Sequence, residues 1–160
     1  MSALKSSMSL SMNVQWTFKI IIVGQLSFFL IMLNMDFQTS IKTCFNKYAD
    51  FSGRALRSEL WFFVLFTLLG GIITVILDVM VLGYSIESYG PINLIFSVGI
   101  LLPSIAVTTR RLHDINKSGW WQLIELTIIG ILLIIIWNAT EGENKKNKYG
   151  PPIKIKSKRR

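Results

Sequence analysis

Long, predominantly apolar stretches, separated by short basic segments, constrain this chain more than any other feature of its sequence. Four of them occur, at residues 20–33, 60–82, 92–109 and 120–137. A helix that crosses the bilayer needs about 20 predominantly apolar residues, within a range of about 17–25, so the last three are long enough and the first is too short. Charged residues make up 16% of the chain, against about 25% of an average soluble domain. We therefore predict an all-α, polytopic transmembrane helical protein with three core spanning helices.

Tryptophans mark the ends of two of these stretches. Trp61 begins the second stretch, and Trp120 and Trp137 bracket the fourth. A continuous helix between the last two would separate them by roughly 25 Å, at about 1.5 Å per residue. This separation matches a hydrocarbon core with one tryptophan at each interface, where the amphipathic indole ring is favoured. The alternative is a buried core helix of a globular protein, in which these tryptophans have no special placement.

Residues 1–35 differ from the rest of the chain and are predicted to form a separate N-terminal hydrophobic extension. They are rich in Ser and Met, and the apolar stretch 20–33 is followed by no small-residue cleavage site of the kind that ends a signal peptide. Two interpretations stay open: a further membrane-associated helix, or translated sequence upstream of a start at Met35. The second is favoured because the motifs described below all begin after Met35. The membrane domain is then 36–152, and residues 153–160 form a basic tail.

Basic residues beside the spans predict the orientation of the chain. Those flanking the spans within residues 36–59 and 110–119 are Lys42, Lys47, Arg54, Arg57, Arg110, Arg111 and Lys117. The connection between the second and third stretches has Glu87 and no basic residue. The positive-inside rule then puts residues 36–59 and 110–119 in the cytoplasm and the Glu87 connection outside. Three spans would put the lysine-rich tail outside as well, so the side of the tail stays open.

The residue types that build common catalytic and metal sites are scarce in this chain. A single cysteine and a single histidine exclude an intramolecular disulfide, a cysteine-based metal site and a histidine cluster. No phosphate-binding glycine loop, nucleophile elbow or metal-ligand spacing occurs. We therefore predict no catalytic residues, no cofactor and no metal. The net charge of +8 does not indicate nucleic acid, because the basic tail lacks interleaved aromatic residues apart from Tyr149.

The first candidate constellation lies at the entrance of the second stretch. Arg54, Arg57 and Trp61 are spaced i, i+3 and i+7, so on a helix they would share one face, with Glu59 beside them. Such a face could hold a lipid phosphate, because a guanidinium group donates two parallel hydrogen bonds to it. The plainer interpretation is a positive anchor that contacts lipid without selecting it.

The second candidate constellation follows the third stretch and contains Arg110, Arg111, His113 and Asp114. These side chains could form an anion site, a proton-handling pair or a structural ion-pair network. Adjacent residues do not face each other on a helix, so a working pair of His113 and Asp114 is disfavoured. The sequence favours the ion-pair network.

Two ionisable residues lie within the predicted spans, and such residues are functional candidates because they are costly there. Asp78 stands near the end of the second stretch, and Glu125 stands near the start of the fourth. Either Glu125 or Glu59 could pair with Arg110 or Arg111. A pathway that uses both intramembrane carboxylates would indicate transport.

The residues around these constellations resemble a known family. The matching blocks, in order, are Gly53-Arg54, Arg57, Glu59, Trp61, Pro103, Arg110-Arg111-Leu112-His113-Asp114, Lys117-Ser118-Gly119-Trp120-Trp121, Gly130, and a tail with Gly142, Asn147, Tyr149 and Gly150. Together they are similar to the DUF805 family over roughly residues 37 to 152. The resemblance implies a small, multi-pass bacterial inner (plasma) membrane protein of about three spans with no assigned activity.

Three functions are therefore considered. The leading hypothesis is a non-enzymatic inner-membrane protein whose arginine-rich cytoplasmic face engages anionic phospholipid or a protein partner. The second is a subunit of a small-solute or ion transporter or channel, which would need a homo-oligomer because three helices seldom enclose a pathway. The third is a membrane enzyme that acts on lipid phosphates, for which His113 and Asp114 would have to be essential.

Overall fold

The computed structural model describes residues 35–85 and 90–153, and within these ranges every regular element is a helix. The predictions for residues 1–34 and for the tail beyond 153 lie outside the described residues. The elements are α1 (Phe37–Asn46), α2 (Arg57–Leu82), α3 (Pro91–Asp114), a 3₁₀ helix (Gly119–Leu126) and α4 (Ile128–Ala139).

Helices α2 and α3 form an antiparallel pair, and both are long and apolar enough to cross a membrane. Their 26 and 24 residues correspond to roughly 39 and 36 Å of helix at about 1.5 Å per residue. Helix α2 ends at Gly83, whose φ of 72° is the left-handed conformation of a helix C-cap. Helix α3 begins at Pro91, which is suited to the first turn because its missing amide hydrogen would be unpaired there. Most apolar side chains of both helices are exposed, as expected of helices solvated by lipid.

Helix α1 packs against the first turns of α2 and precedes the membrane pair. Its N-terminus is capped by Asp36, whose carboxylate accepts a hydrogen bond from the Thr39 amide at 3.0 Å. A small core lies between α1, α2 and α3, and its buried apolar members are Cys44, Ala55, Leu60, Phe63 and Val107. This core lies at the end of the pair where α2 begins and α3 ends, which is the end that carries the basic residues.

The fourth apolar stretch is not the continuous helix that its composition predicts. It consists of the 3₁₀ helix and the 12-residue helix α4, separated at Thr127. The backbone of Thr127 is extended, and its hydroxyl oxygen accepts a hydrogen bond from the Gly130 amide at 3.0 Å. Thr127 therefore ends one helix and caps the next.

These two short helices fold back on each other, so the stretch begins and ends beside the same end of α3. The rings of Trp121 and Trp137 meet edge to face with their centroids 5.4 Å apart. The Arg111 guanidinium, in the last turn of α3, donates to the Asn138 carbonyl at 3.1 Å. The predicted placement of Trp120 and Trp137 at opposite interfaces is therefore wrong, and a third spanning helix is not confirmed.

The turn between the two short helices is tight and strongly apolar. A side chain at Gly130 would overlap the main-chain carbonyl of Ile124, so glycine is required for this close approach. The turn projects Leu126, Ile128 and Ile129, which are 89%, 82% and 80% exposed. We refer to residues 119–139 as the apolar hairpin.

Candidate functional site

The candidate arginines lie mostly inside the protein rather than on a lipid-facing surface. Arg110 and Arg111 are fully buried, and Arg54 is 6% exposed. A buried guanidinium group is costly unless it is paired with a charge and its donors are satisfied. The neighbours of these three arginines therefore decide what the site does.

Asp114 is the centre of the larger of two buried ion-pair groups among the described residues. Its Oδ1 accepts from Nε of Arg54 at 2.7 Å, and its Oδ2 accepts from Nη1 of Arg111. We refer to residues 140–153 as the C-terminal segment. The remaining donors of Arg54 reach main-chain carbonyls of this segment, those of Glu143, Lys145 and Gly150. Those of Arg111 reach the carbonyls of Asn138 and Thr140. Two guanidinium groups on one carboxylate thus fasten residues 138–150 to the end of α3.

The second ion pair joins the two membrane helices directly. Nη1 of Arg110 donates to Oε1 of Glu59 at 2.7 Å, and both side chains are buried. The Arg110 carbonyl also accepts from the Ala55 amide at 3.0 Å. Of the two pairings considered for the sequence, Glu59 with Arg110 is present. Glu125 is exposed and forms no ion pair within the described residues, so its predicted pairing is wrong.

Arg54 and Arg57 do not share a helical face, contrary to the prediction. Helix α2 begins only at Arg57, because a turn at Asp50–Gly53 interrupts the chain and Gly53 has a φ of 75°. The hydroxyl and the amide of Ser52 donate to the Asp50 carboxylate and hold its pKa below the usual value. Arg57 instead contacts the Ala139 carbonyl at 3.3 Å and the exposed Glu141 at 3.4 Å.

His113 and Asp114 do not form a pair. Nδ1 of His113 lies 3.1 Å from the Gly53 carbonyl, and its ring stacks on Tyr149 with centroids 3.6 Å apart. The Asn147 amide group donates to the His113 carbonyl at 2.9 Å. The imidazole is therefore a packing and hydrogen-bonding element that holds the C-terminal segment.

Three residues of this site were not among the candidates: Gly142, Asn147 and Tyr149. Asp114 packs so closely on Gly142 that any side chain there would overlap its carboxylate. Their spacing to one another was visible in the family resemblance, but their partners lie 28 or more positions earlier in the chain. Long-range pairing of this kind has no local sequence signal.

Asp78 has a structural role at the opposite end of the helix pair. It is 2% exposed, and its two carboxylate oxygens accept from the amides of Ile92 (3.0 Å) and Asn93 (2.8 Å). These amides belong to the first turn of α3, where main-chain donors lack helical partners. Asp78 therefore caps α3 from the end of α2.

Replacing Asp78 with alanine is expected to destabilise the protein by about 0.5–2 kcal/mol, the usual cost of a lost N-cap. Asp78→Asn retains one acceptor oxygen and should lose less. Both values can be measured as thermal unfolding midpoints in detergent by fluorescence-detected size exclusion. Equal midpoints for Asp78→Ala and the parent protein would contradict the capping role.

Cys44 is buried against the Glu59–Arg110 pair. Its Sγ lies 3.9 Å from Oε1 of Glu59. Burial, and secondarily the Glu59 carboxylate, raise the pKa of the Cys44 thiol from 9.0 to about 12. Because the thiolate is the reactive form, this thiol is protonated and unreactive at neutral pH.

We expect Cys44 to resist maleimide at pH 7–9 in the folded protein and to react at once after denaturation. Because the folded state favours the neutral thiol, the contribution of Cys44 to folding stability is complete below pH 9 and is lost as pH rises towards 12. Intact-mass spectrometry after labelling measures the fraction of Cys44 that has reacted with maleimide at each pH. Rapid modification of the folded protein at pH 7 would rule out the buried placement.

A groove of about 530 Å³ lies beside the ion-pair groups. Its floor is one face of α3, formed by Ile105, Thr109 and His113, and its walls include the 3₁₀ helix and Tyr149. In the wall, the Gln122 amide donates to the Thr109 hydroxyl at 2.6 Å. Among the described residues no group of three His, Cys, Asp or Glu side chains is arranged to hold a metal ion.

Two long apolar helices joined by a buried ion pair at one end are typical of a helical integral membrane protein. Residues 48–151 match the sequence model of the family described as "Protein of unknown function (DUF805)". The chain therefore belongs to the DUF805 family, which confirms the resemblance found in the sequence.

Relatives agree with this placement. The chain is 37% identical to the inner membrane protein YhaH of Escherichia coli strain K12 over 109 residues, covering 68% of this chain and 90% of YhaH. It is 36% identical to the inner membrane protein YhaI of the same strain over 111 residues, covering 69% of this chain and 91% of YhaI. No solved structure matches the chain. The protein is thus an integral inner-membrane protein.

Proposed function

We propose that this protein is a non-enzymatic, multi-pass membrane protein that presents a lysine-rich cytoplasmic surface to anionic phospholipid. The observation that carries this proposal is that the arginines and the lysines of this protein lie in different environments. Arg54, Arg110 and Arg111 are buried in ion pairs, whereas Lys42, Lys145, Lys146 and Lys148 are exposed. The exposed lysines, rather than the buried arginines that the sequence suggests, can therefore contact lipid phosphates.

The proposed topology has two spanning helices, α2 and α3, and an apolar hairpin that enters the bilayer and returns. The start of the hairpin lies beside Thr109, and its end lies beside Arg111 and Arg57. Its exposed apolar turn and the 12-residue length of α4 suit a re-entrant or interfacial segment. Every Lys and Arg after residue 34 then lies on the cytoplasmic side, because residues 83–90 contain none. The proposed topology puts residues 140–153 on the cytoplasmic side, whereas three spans would put them outside.

Clustered basic residues at a membrane surface attract anionic lipid by about 1 kcal/mol per Lys or Arg. We expect phosphatidylglycerol to raise the thermal unfolding midpoint of the protein in mixed micelles more than phosphatidylcholine does. The combined change Lys145→Gln, Lys146→Gln and Lys148→Gln should abolish this difference. The matched change of the same three residues to Arg should retain it.

The result that would reject the proposal is equal stabilisation of the parent protein by both lipids at low salt. A preference that survives in the Gln variant would also reject it. Salt supplies a further check, because surface attraction falls as the Debye length shortens to about 8 Å at 0.15 M. A preference indifferent to salt would count against an electrostatic origin.

The other two functions have less support. A transport pathway through Asp78 and Glu125 is weakened because both oxygens of Asp78 are occupied as a helix cap. A lipid-phosphate enzyme that uses His113 and Asp114 is weakened because these side chains have separate partners. A homo-oligomer or a protein partner is compatible with the proposal, and the lysine surface would serve either.

A further inference from the structure

The groove beside the ion-pair groups crosses the predicted boundary between lipid and water. Ile105 and His113 lie eight residues apart on α3, which is roughly 12 Å at about 1.5 Å per residue. Ile105 and Leu123, at one end, are exposed on the lipid-facing surface. His113, Ser118 and Tyr149, at the other end, lie beside the basic C-terminal segment.

From this geometry we infer that the groove is a binding site for one anionic phospholipid, with an acyl chain along Ile105 and Leu123 and its headgroup beside Ser118 and Lys148. Its volume of about 530 Å³ falls within the roughly 300–1,000 Å³ of typical ligand pockets. The site deepens the proposed function, on which it rests, by naming one bound lipid in place of a diffuse attraction.

Charge complementarity at the cytoplasmic end selects an anionic headgroup. The ammonium of Lys148 lies 4.9 Å from the centroid of the Tyr149 ring, which lines the groove. Lys117 is turned towards the indole ring of Trp137, 4.1 Å from its centroid, so Lys148 is the one of these two lysines that lies beside a ring lining the groove. Of the described residues that line the groove, none has a carboxylate side chain that would repel a phosphate.

The groove also offers polar atoms to the headgroup. Because Nδ1–H of His113 donates to the Gly53 carbonyl, Nε2 of the neutral ring is an acceptor, which suits a hydroxyl group of the headgroup rather than a phosphate oxygen. Trp120 lines the same end and is 79% exposed, a placement that suits an indole ring at headgroup depth. An apolar channel that ends in polar groups and a cation fits an amphiphile better than a soluble metabolite.

Native mass spectrometry of the full chain, extracted in mild detergent and washed with increasing detergent, tests the inference. We expect one phosphatidylglycerol-type lipid to stay bound to the parent protein. Ile105→Trp fills the groove and should lose this lipid. Ile73→Trp, a matched change at an exposed position of α2 outside the groove, should keep it. Retention by a folded Ile105→Trp variant, or absence of bound lipid from the parent protein, overturns the inference.

A charge reversal at the headgroup end separates this site from general attraction, and it does not depend on folding of Ile105→Trp. Lys148→Glu should lose the retained lipid, whereas Lys146→Glu, at a neighbouring exposed lysine, should keep it. Equal loss in both variants overturns the groove and leaves the lysine surface of the proposed function standing. Occupation of the groove by a segment of protein would appear as retention of no lipid by any variant, and this also overturns it.

Discussion

Asp114→Ala is expected to destabilise the protein more than any other single side-chain truncation, by about 3–5 kcal/mol, the usual cost of breaking a buried ion pair. The Asp114 carboxylate balances two guanidinium groups, those of Arg54 and Arg111. Its removal leaves both of them buried without a counter-charge. The C-terminal segment, which these arginines hold through four main-chain carbonyls, should detach.

The measurement is the yield of monodisperse protein and its unfolding midpoint in detergent, with limited proteolysis to detect release of residues 140–153. Glu141→Gln provides the matched control. Glu141 also pairs with an arginine, but its side chain is 79% exposed, and exposed pairs contribute about 0–1 kcal/mol. Similar behaviour of the two variants would contradict the buried network.

The second large effect is expected at the turn of the apolar hairpin. Gly130→Ala puts a methyl group onto the main-chain carbonyl of Ile124, and a main-chain atom cannot move aside as a flexible side chain can. Overpacking of this kind costs typically about 1–3 kcal/mol. The variant should have a lower unfolding midpoint, and the two short helices should separate.

Gly71→Ala is the control for this change. Gly71 lies within α2, and a methyl group there meets no atom within 4 Å. It should leave the unfolding midpoint unchanged or raise it slightly, because alanine has the higher helix propensity. Tolerance of Gly130→Ala to the same degree would show that the hairpin turn is more open than described.

Hydropathy and charge were sufficient to predict the two spanning helices. Predominantly apolar runs of 23 and 18 residues located α2 and α3, and the basic residues at their shared end agree with the buried ion pairs found there. The pairing of Glu59 with Arg110 could be predicted as one alternative, because the two residues flank span ends that lie on the same side of the membrane. These features depend on local composition, which a sequence displays directly.

The fold of residues 120–137 could not be predicted in the same way. A span and an apolar hairpin have the same hydropathy, and they differ only in a cap at Thr127 and a close contact at Gly130. The burial of Arg54 and Arg111 was equally hidden, because their acceptors are main-chain carbonyls of residues 138–150. Every residue type has a main-chain carbonyl, so the type of residue at positions 138–150 does not indicate that its carbonyl accepts from an arginine.

Cysteine accessibility in intact cells tests the proposed topology most directly. In a Cys44→Ser background, which has no other cysteine, single changes Tyr84→Cys, Ser52→Cys and Asn144→Cys sample the outer connection, the inner connection and the C-terminal segment. An impermeant maleimide should label the Tyr84 position in intact cells and the other two only after the membrane is opened. Labelling of the Asn144 position from outside, together with Tyr84, would mean that residues 120–137 cross the membrane and would contradict the apolar hairpin.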